Sequence, residues 1–367
     1  MEEVSSNKAK IILNKVPEVT VFFWIIKILC TTVGETFSDF INVNLGVGLL
    51  KTTLLMGAAF LLVLTFQFRA IKYIPGLYWL TVVLISVFGT LVTDNLTDGL
   101  GVPLELSTIV FSILLLLTFF LWYRSEKTLS IHSVFTRKRE AFYWFTILFT
   151  FALGTAVGDL YSESLGFGYL RTGLIVASII GCIFLSWKVL KLDAVLTFWS
   201  AYIFTRPLGA SLGDYLSQPG KYGGLGLGAT ITSAIFLAAI LAIIIYLAVT
   251  KYDTLHKDKP ALQPAQVRPG NVRRQTIAVL LAFLALGSIG YAWGSNHIAQ
   301  AGTAATLKSQ LTDFITIEQD MQKDISAKDF ASAKSRADDL EHDWDVSAPL
   351  LKKIDKAAWI PANVRIP

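Results

Sequence analysis

Charge is the first thing in short supply. Only 16% of the 367 residues are Asp, Glu, Lys or Arg, while 53% are hydrophobic. A soluble domain carries about a quarter charged residues, so this balance excludes a soluble globular enzyme, and equally a disordered or collagen-like chain. Cysteine is nearly missing. Cys30 and Cys182 both sit inside apolar runs, which leaves no disulfide framework and no zinc spacing. Histidine is scarce too: His132, His256, His297 and His342 all fall outside the apolar runs, which argues against a haem or copper membrane enzyme. There is no G-x-G-x-x-G after a strand, no P-loop and no H-E-x-x-H. No enzymatic activity, no cofactor and no nucleic-acid partner is expected. Residues 1–15 are polar, and no cleavable signal peptide is expected.

What is abundant is long apolar sequence. Nine runs approach the roughly 20 residues that cross a bilayer, near 17–38, 49–68, 75–93, 104–123, 141–158, 168–187, 193–212, 227–250 and 276–294. The lipid bilayer is therefore the first partner. Lysine and arginine orient the spans: eighteen fall on one side, from Lys8 through Arg274, against Lys51, Arg171 and Lys221 opposite. The expected layout is a cytoplasmic N-terminus (1–15), an eight-span membrane domain (16–250), a basic cytoplasmic linker (251–275), a ninth span (276–294) and an extracytoplasmic helical domain (295–367).

The first eight spans repeat. Trp24, Trp79, Trp144 and Trp199 each precede a glycine by ten residues, at Gly34, Gly89, Gly154 and Gly209. Each glycine precedes an aspartate by five, at Asp39, Asp94, Asp159 and Asp214. A Leu-Gly pair follows at Gly46, Gly101, Gly166 and Gly226. Each unit is expected to be an outward helix, a Gly-rich turn and a returning helix, so all four units share one orientation, as parallel repeats do. Tryptophan spacings of 55, 65 and 55 residues, and the likeness of LGVGLLKTT to LGFGYLRTG, point to a duplicated two-unit module. The fold class is all-α: four tandem two-helix repeats, a ninth span and a small helical domain.

These repeat units resemble a bacterial family of tandem-repeat inner-membrane proteins known only as uncharacterised membrane-anchored proteins. The resemblance covers residues 17–250, and the tail sequence DDLEHDWD also looks like tails on relatives. It implies fold and a place in the bacterial inner membrane, and no substrate.

The repeat chemistry suggests a cation pathway. Small residues four apart on one helix face let helices approach closely. About 15 residues from Trp to Asp span roughly 22 Å, which sets the four aspartates toward the outer mouth. Carboxylates at membrane depth need a partner, water or a cation, and carboxylate and carbonyl oxygens suit hard cations such as Mg²⁺, Ca²⁺ or Mn²⁺. Asp39, Asp94, Asp159 and Asp214 are the candidate metal ligands, with the LGxG turns as a source of carbonyls. Three departures stand out. Glu35 holds the place of Thr90, Thr155 and Ala210; Arg206 holds that of Thr31, Ser86 and Phe151; and Lys27 lies well inside the first span. Arg206 is expected to pair with Glu35 or Asp214 as a coupling charge, and Lys27 to snorkel toward the cytoplasm. The contrary cations Lys51 and Arg171 weigh against a purely acidic mouth. In the tail, one histidine among the acids of DDLEHDWD reads as charged surface rather than a metal site, and hairpin turns are expected at 326–329 and 347–349.

The expected function is secondary transport or export of a small cation, a divalent metal or a proton exchanged against one. Two alternatives stand beside it: a cation channel with the Gly-rich turns as its filter, and a membrane-anchored sensor or scaffold acting through the C-terminal helices.

Overall fold

The computed structural model describes residues 14–220, 223–253, 269–302 and 307–354. Residues 1–13, most of the basic linker and the side chains of Asp338, Glu341, His342 and Asp345 lie outside the described residues. Among those described there is no strand. The chain divides into two compact units, Met1–Gly158 with Tyr169–Ala278, and Asp159–Gly168 with Val279–Pro367.

The first unit holds the repeats. Their first helices are α1 (Val21–Asp39), α3 (Pro75–Asp94), α5 (Arg137–Asp159) and α7 (Ala194–Ser217). Their second helices are α2 (Leu49–Arg69), α4 (Leu104–Glu126), α6 (Tyr169–Leu190) and α8 (Gly228–Thr250). The starts are specified locally: the Thr20 hydroxyl accepts from the Phe23 N–H, the Asp193 carboxylate accepts from Val195 and Leu196, and Pro75 occupies the first turn of α3. Three of the second helices stop at a lysine with positive φ, Lys127, Lys191 and Lys251, which sets a cation against the negative end of the helix dipole.

In the first three repeats the α-helix ends at its aspartate and a five-residue π-helical turn follows, Phe40–Asn44, Asn95–Gly99 and Leu160–Ser164. The fourth repeat has none there: α7 runs on to Ser217. The downstream glycines Gly46, Gly101, Gly166 and Gly226 then share φ between 64° and 74°. That is left-handed backbone, which glycine enters without penalty.

The upstream glycines do a different job. A Cβ on Gly34 would overlap Ser86, on Gly89 the Phe151 Cβ, on Gly154 the Arg206 side chain, and on Gly209 Thr31. Each glycine thus faces the residue three places before the glycine of the next repeat, and the last faces the first. The first helices form a closed ring, α1–α3–α5–α7–α1. Each second helix lies against the first helix of the following repeat. Helix α2 lies on α3, α6 on α7 and α8 back on α1, while α4 meets α5 through Phe111 and Leu115 against Ala152, Leu153 and Ala156.

Burial follows from this arrangement. Apolar windows in α1, α3 and α5 are 61–67% buried, against 11–22% in the second helices, whose Leu54, Leu61, Ile113, Leu174 and Ile235 stay exposed as a lipid-facing surface requires. Among the described residues, eight helices are long and apolar enough to cross a membrane, seven of them in the repeats and one at Asn271–Asn296. The seventh expected span, α7, is a 24-residue helix but is not among them. It carries Arg206, Asp214 and several Ser, Thr and Gly residues, and most of it is enclosed by neighbouring helices, so it has no need to be apolar.

At the tryptophan end of the ring the residue before each tryptophan is aromatic and buried: Phe23, Tyr78, Tyr143 and Phe198. Tyr78 and Tyr143 share a hydrogen bond of 2.5 Å. Phe23 meets Trp79 and Phe198, and Tyr143 meets Trp199.

In the second unit the Tyr161 hydroxyl donates to the Gly287 carbonyl at 2.7 Å, and the Phe167 and Trp293 rings lie 4.9 Å apart. Both Gly287 and Trp293 belong to α9 (Pro269–Gly302). Helices α10 (Leu307–Ser326) and α11 (Phe330–Ile354) form a hairpin around Phe314, Trp344 and Leu351. Arg336 donates to Asp324 across it at 2.6 Å. The turn expected at 326–329 separates these helices. The one expected at 347–349 does not form, because α11 continues through Pro349 and brings Leu351 into the small core.

Ring glycines and open glycines should respond oppositely to alanine. Gly209→Ala is expected to cost roughly 1–3 kcal/mol through overpacking. Gly181→Ala, at a helical position with nothing within 4 Å, is expected to be neutral or to stabilise by up to about 1 kcal/mol. Thermal unfolding in detergent reads both.

Candidate functional site on the ring axis

The residue after each ring glycine points inward: Glu35, Thr90 and Thr155, with Ala210 in the fourth repeat. Arg206 enters this space from α7 and is fully buried. Its Nη2 donates to the Glu35 carboxylate at 2.6 Å, to the Thr90 hydroxyl at 2.5 Å and to the Thr155 hydroxyl at 2.8 Å. Its Nη1 donates to the Thr31 carbonyl at 3.3 Å. The two threonine hydroxyls donate back to carbonyls of their own helices, Ser86 and Phe151, so their lone pairs face the guanidinium. One arginine thus gathers three repeats around the axis, and of the two carboxylates expected as its partner, Glu35 and Asp214, it donates to Glu35.

Glu35 and Asp39 lie one turn apart on the same face of α1. Asp214 reaches them from α7, where Gly213 leaves room: a Cβ there would stand 3.3 Å from that of Glu35. One ligand oxygen from each of Glu35, Asp39 and Asp214 lies within 4.8 Å of the others. Asp94, half-buried at the end of α3, is not in this group. Asp159 closes α5 and falls in the second compact unit. The acids that converge are therefore those at the seam where the fourth repeat meets the first.

A hard cation suits this seam. Ca²⁺–oxygen bonds of about 2.3–2.6 Å put opposite ligands roughly 4.6–5.2 Å apart, so three carboxylates at the observed spread need little movement. Mg²⁺, with bonds near 2.0–2.1 Å, requires the group to tighten or to bind through water. Two charged carboxylate oxygens within 4.8 Å of each other repel by at least roughly 3 kcal/mol at an effective dielectric near 20. A cation or a shared proton relieves that repulsion.

Other expected participants lie elsewhere. Lys51 and Arg171 are exposed and take no part in the cluster. The LGxG glycines Gly46, Gly48, Gly166, Gly168 and Gly226 have positive φ and nothing within 4 Å of where a Cβ would stand, so they stand open at the turns. Lys27 does not snorkel. It is 1% exposed, with Nζ 3.7 Å from the Phe151 ring centre and 4.2 Å from that of Tyr202, and it makes no hydrogen bond. Ring geometry holds it by cation–π contact instead.

Four tandem matches to a family described as a Repeat of Unknown Function (DUF347) cover residues 22–73, 77–128, 142–192 and 197–252. The chain belongs to the DUF347 repeat family. No curated protein and no solved structure matches it. Each DUF347 match spans most of one ring helix and the whole of one outer helix, so the family unit is the helix pair. Arg206 and Glu35 each stand at a column that the other units fill differently, so neither is part of what the units share. Two features escaped the reading of the sequence. The aromatic residue before each tryptophan was visible as FW, YW, YW and FW. Thr90 and Thr155 as acceptors for Arg206 were foreshadowed only by sharing a column with Glu35.

Removing the guanidinium should strand the carboxylate. Arg206→Met is expected to cost about 3–5 kcal/mol, and adding Glu35→Gln should recover a large part of that loss. A double-mutant cycle on thermal unfolding measures the coupling.

Proposed function

We propose that this chain is a carrier for a small cation, most simply a divalent metal of Ca²⁺ or Mn²⁺ type or a proton exchanged against one. We place it in the inner membrane of a bacterium, with its N-terminus cytoplasmic and its C-terminal helices on the opposite side. It is not an enzyme on this reading. The observation that carries it is the convergence of Glu35, Asp39 and Asp214 within 4.8 Å, beside a buried arginine that already holds one of them.

The residues divide the work. Asp39 and Asp214 supply oxygens for an arriving cation. Glu35 is contested between that cation and Arg206. Arg206 also donates to Thr90, Thr155 and the Thr31 carbonyl, so three neutral acceptors stay with it when Glu35 turns to the cation, while its Nε has no hydrogen-bond partner. Binding of the cation is thereby coupled to the position of a buried charge, which is how intramembrane ionisable groups ordinarily act. A carrier is favoured over a channel because the axis is filled beyond Arg206. Lys27 lies between Phe151 and Tyr202, and the layer of Phe23, Tyr78, Tyr143 and Phe198 follows.

Purified protein in liposomes should take up Mn²⁺ or Ca²⁺. Glu35→Gln, Asp39→Asn and Asp214→Asn are each expected to lower uptake about tenfold or more, the usual scale for disturbing a metal site. Asp94→Asn should leave uptake nearly unchanged. Normal uptake by the Asp39→Asn/Asp214→Asn double variant rejects the proposal. Loss of function on removing residues 295–367, with the acid variants silent, would instead support a sensor.

A further inference from the structure

The tryptophan end of the ring is closed by a piece of chain that belongs to no repeat. Residues 14–18 run across it, and their bonds reach the end of repeat one, the segment between repeats two and three, the start of α5 and the residue just past repeat four. The Tyr73 N–H, at the end of repeat one, donates to the Asn14 carbonyl at 3.2 Å. The Lys15 N–H donates to the Val134 carbonyl, between repeats two and three, at 3.1 Å. The Glu18 N–H donates to the Asp253 carbonyl, just past repeat four, at 3.1 Å. Side chains add three more links. Lys15 Nζ donates to the Glu140 carboxylate on α5 at 2.6 Å and to the Phe68 carbonyl at the end of α2 at 3.1 Å. The Tyr73 hydroxyl donates to Asp253 at 2.5 Å.

This closure is buried yet polar. Asn14, Lys15 and Val16 are 4–7% exposed, and Glu140 and Gln67 1%. Val16 enters the same core as Trp79, Trp144 and Cys30. Around it, Asn14 Oδ1, Gln67 Oε1 and Asp253 Oδ1 are buried without a hydrogen bond. A permanent seal is better made of apolar side chains, since a buried ion pair gives little net stability over a hydrophobic replacement, and unsatisfied acceptors cost more still. Burial also holds the Asp253 carboxyl above its usual range, against the opposing pull of the Tyr73 hydrogen bond. These groups lose less than apolar ones when water is admitted. At the other end Glu35 keeps some exposure and Asp39 is half-buried, so the acid cluster is approachable there.

We infer that residues 14–18 are a latch on the tryptophan end, held by the Lys15–Glu140 ion pair and the Tyr73–Asp253 hydrogen bond, and that its release opens the ring on the side away from the acid cluster. As a gate for the cation the inference rests on the carrier reading above; as a latch it stands on its own contacts.

The test uses the full chain in nanodiscs with Cys182→Ser, which leaves the buried Cys30 as the one thiol. Hydrogen exchange of residues 14–18 and labelling of Cys30 by a small charged thiol reagent are followed together. Both should be slow in the parent and rise at least about tenfold in Glu140→Gln and in Tyr73→Phe, because each change leaves a buried group without its partner. The exchanged pair Lys15→Glu/Glu140→Lys should restore protection. Unchanged exchange and labelling in both single variants overturns the latch, and so does an exchanged pair as open as Glu140→Gln. If Glu140→Gln does not fold, Tyr73→Phe and the exchanged pair decide the matter. Mn²⁺ uptake by the same proteins separates the two ideas: a latch that opens as expected in a protein that moves no ion sinks the carrier and leaves the latch.

Discussion

Four helices can share one axis only if something at their contacts is missing, and here it is the side chain of a glycine. Gly34, Gly89, Gly154 and Gly209 each abut a residue of the next helix where a methyl group would collide. In lipid, association gains nothing from expelling water from apolar faces, so close backbone approach carries much of the packing. The ring in turn fixes which columns point inward. The position after the glycine becomes axial, and the position three before it becomes the surface against which the preceding repeat rests.

That shared geometry makes the exceptions meaningful. An arginine at a ring-contact column would be unwelcome in three of the repeats. In the fourth its stem packs against Gly154 while its guanidinium reaches the axis. A glutamate at the axial column occurs once, in the first repeat. Because the ring closes α7 onto α1, the last repeat's arginine and the first repeat's glutamate become neighbours, and Asp39 and Asp214 are drawn in beside them. The site is a product of the seam and not of the fourfold pattern.

Much of this was legible from residue spacing. The interval from tryptophan to glycine to aspartate gave the helix pairs, and aligning the units exposed Glu35 and Arg206 as departures. What spacing could not give is the partner of each column. Asp94 has the same interval as Asp39, but its repeat carries Thr90 where the first carries Glu35, so only one of them joins a cluster. Lys27 looked able to reach the membrane surface, yet Phe151 and Tyr202 from other repeats enclose it. Residues 14–18 offered no periodicity at all, since a segment held by long-range bonds to loops leaves no local pattern. The helix α7 was read as an ordinary span, though its surroundings are protein and its composition is correspondingly mixed.

The forward lean of the outer helices has an architectural corollary. Since α2 rests on α3, α6 on α7 and α8 on α1, no helix pair is self-contained: each offers one face to its successor and needs another from its predecessor. A polypeptide with just two such pairs would carry both faces unfilled at its edges. Two copies inserted the same way up would satisfy each other and build the whole annulus as a parallel dimer. Joining them end to end, as in this chain, frees the two halves to diverge, and a lone acid in one and a lone base in the other is an asymmetry that identical subunits cannot have.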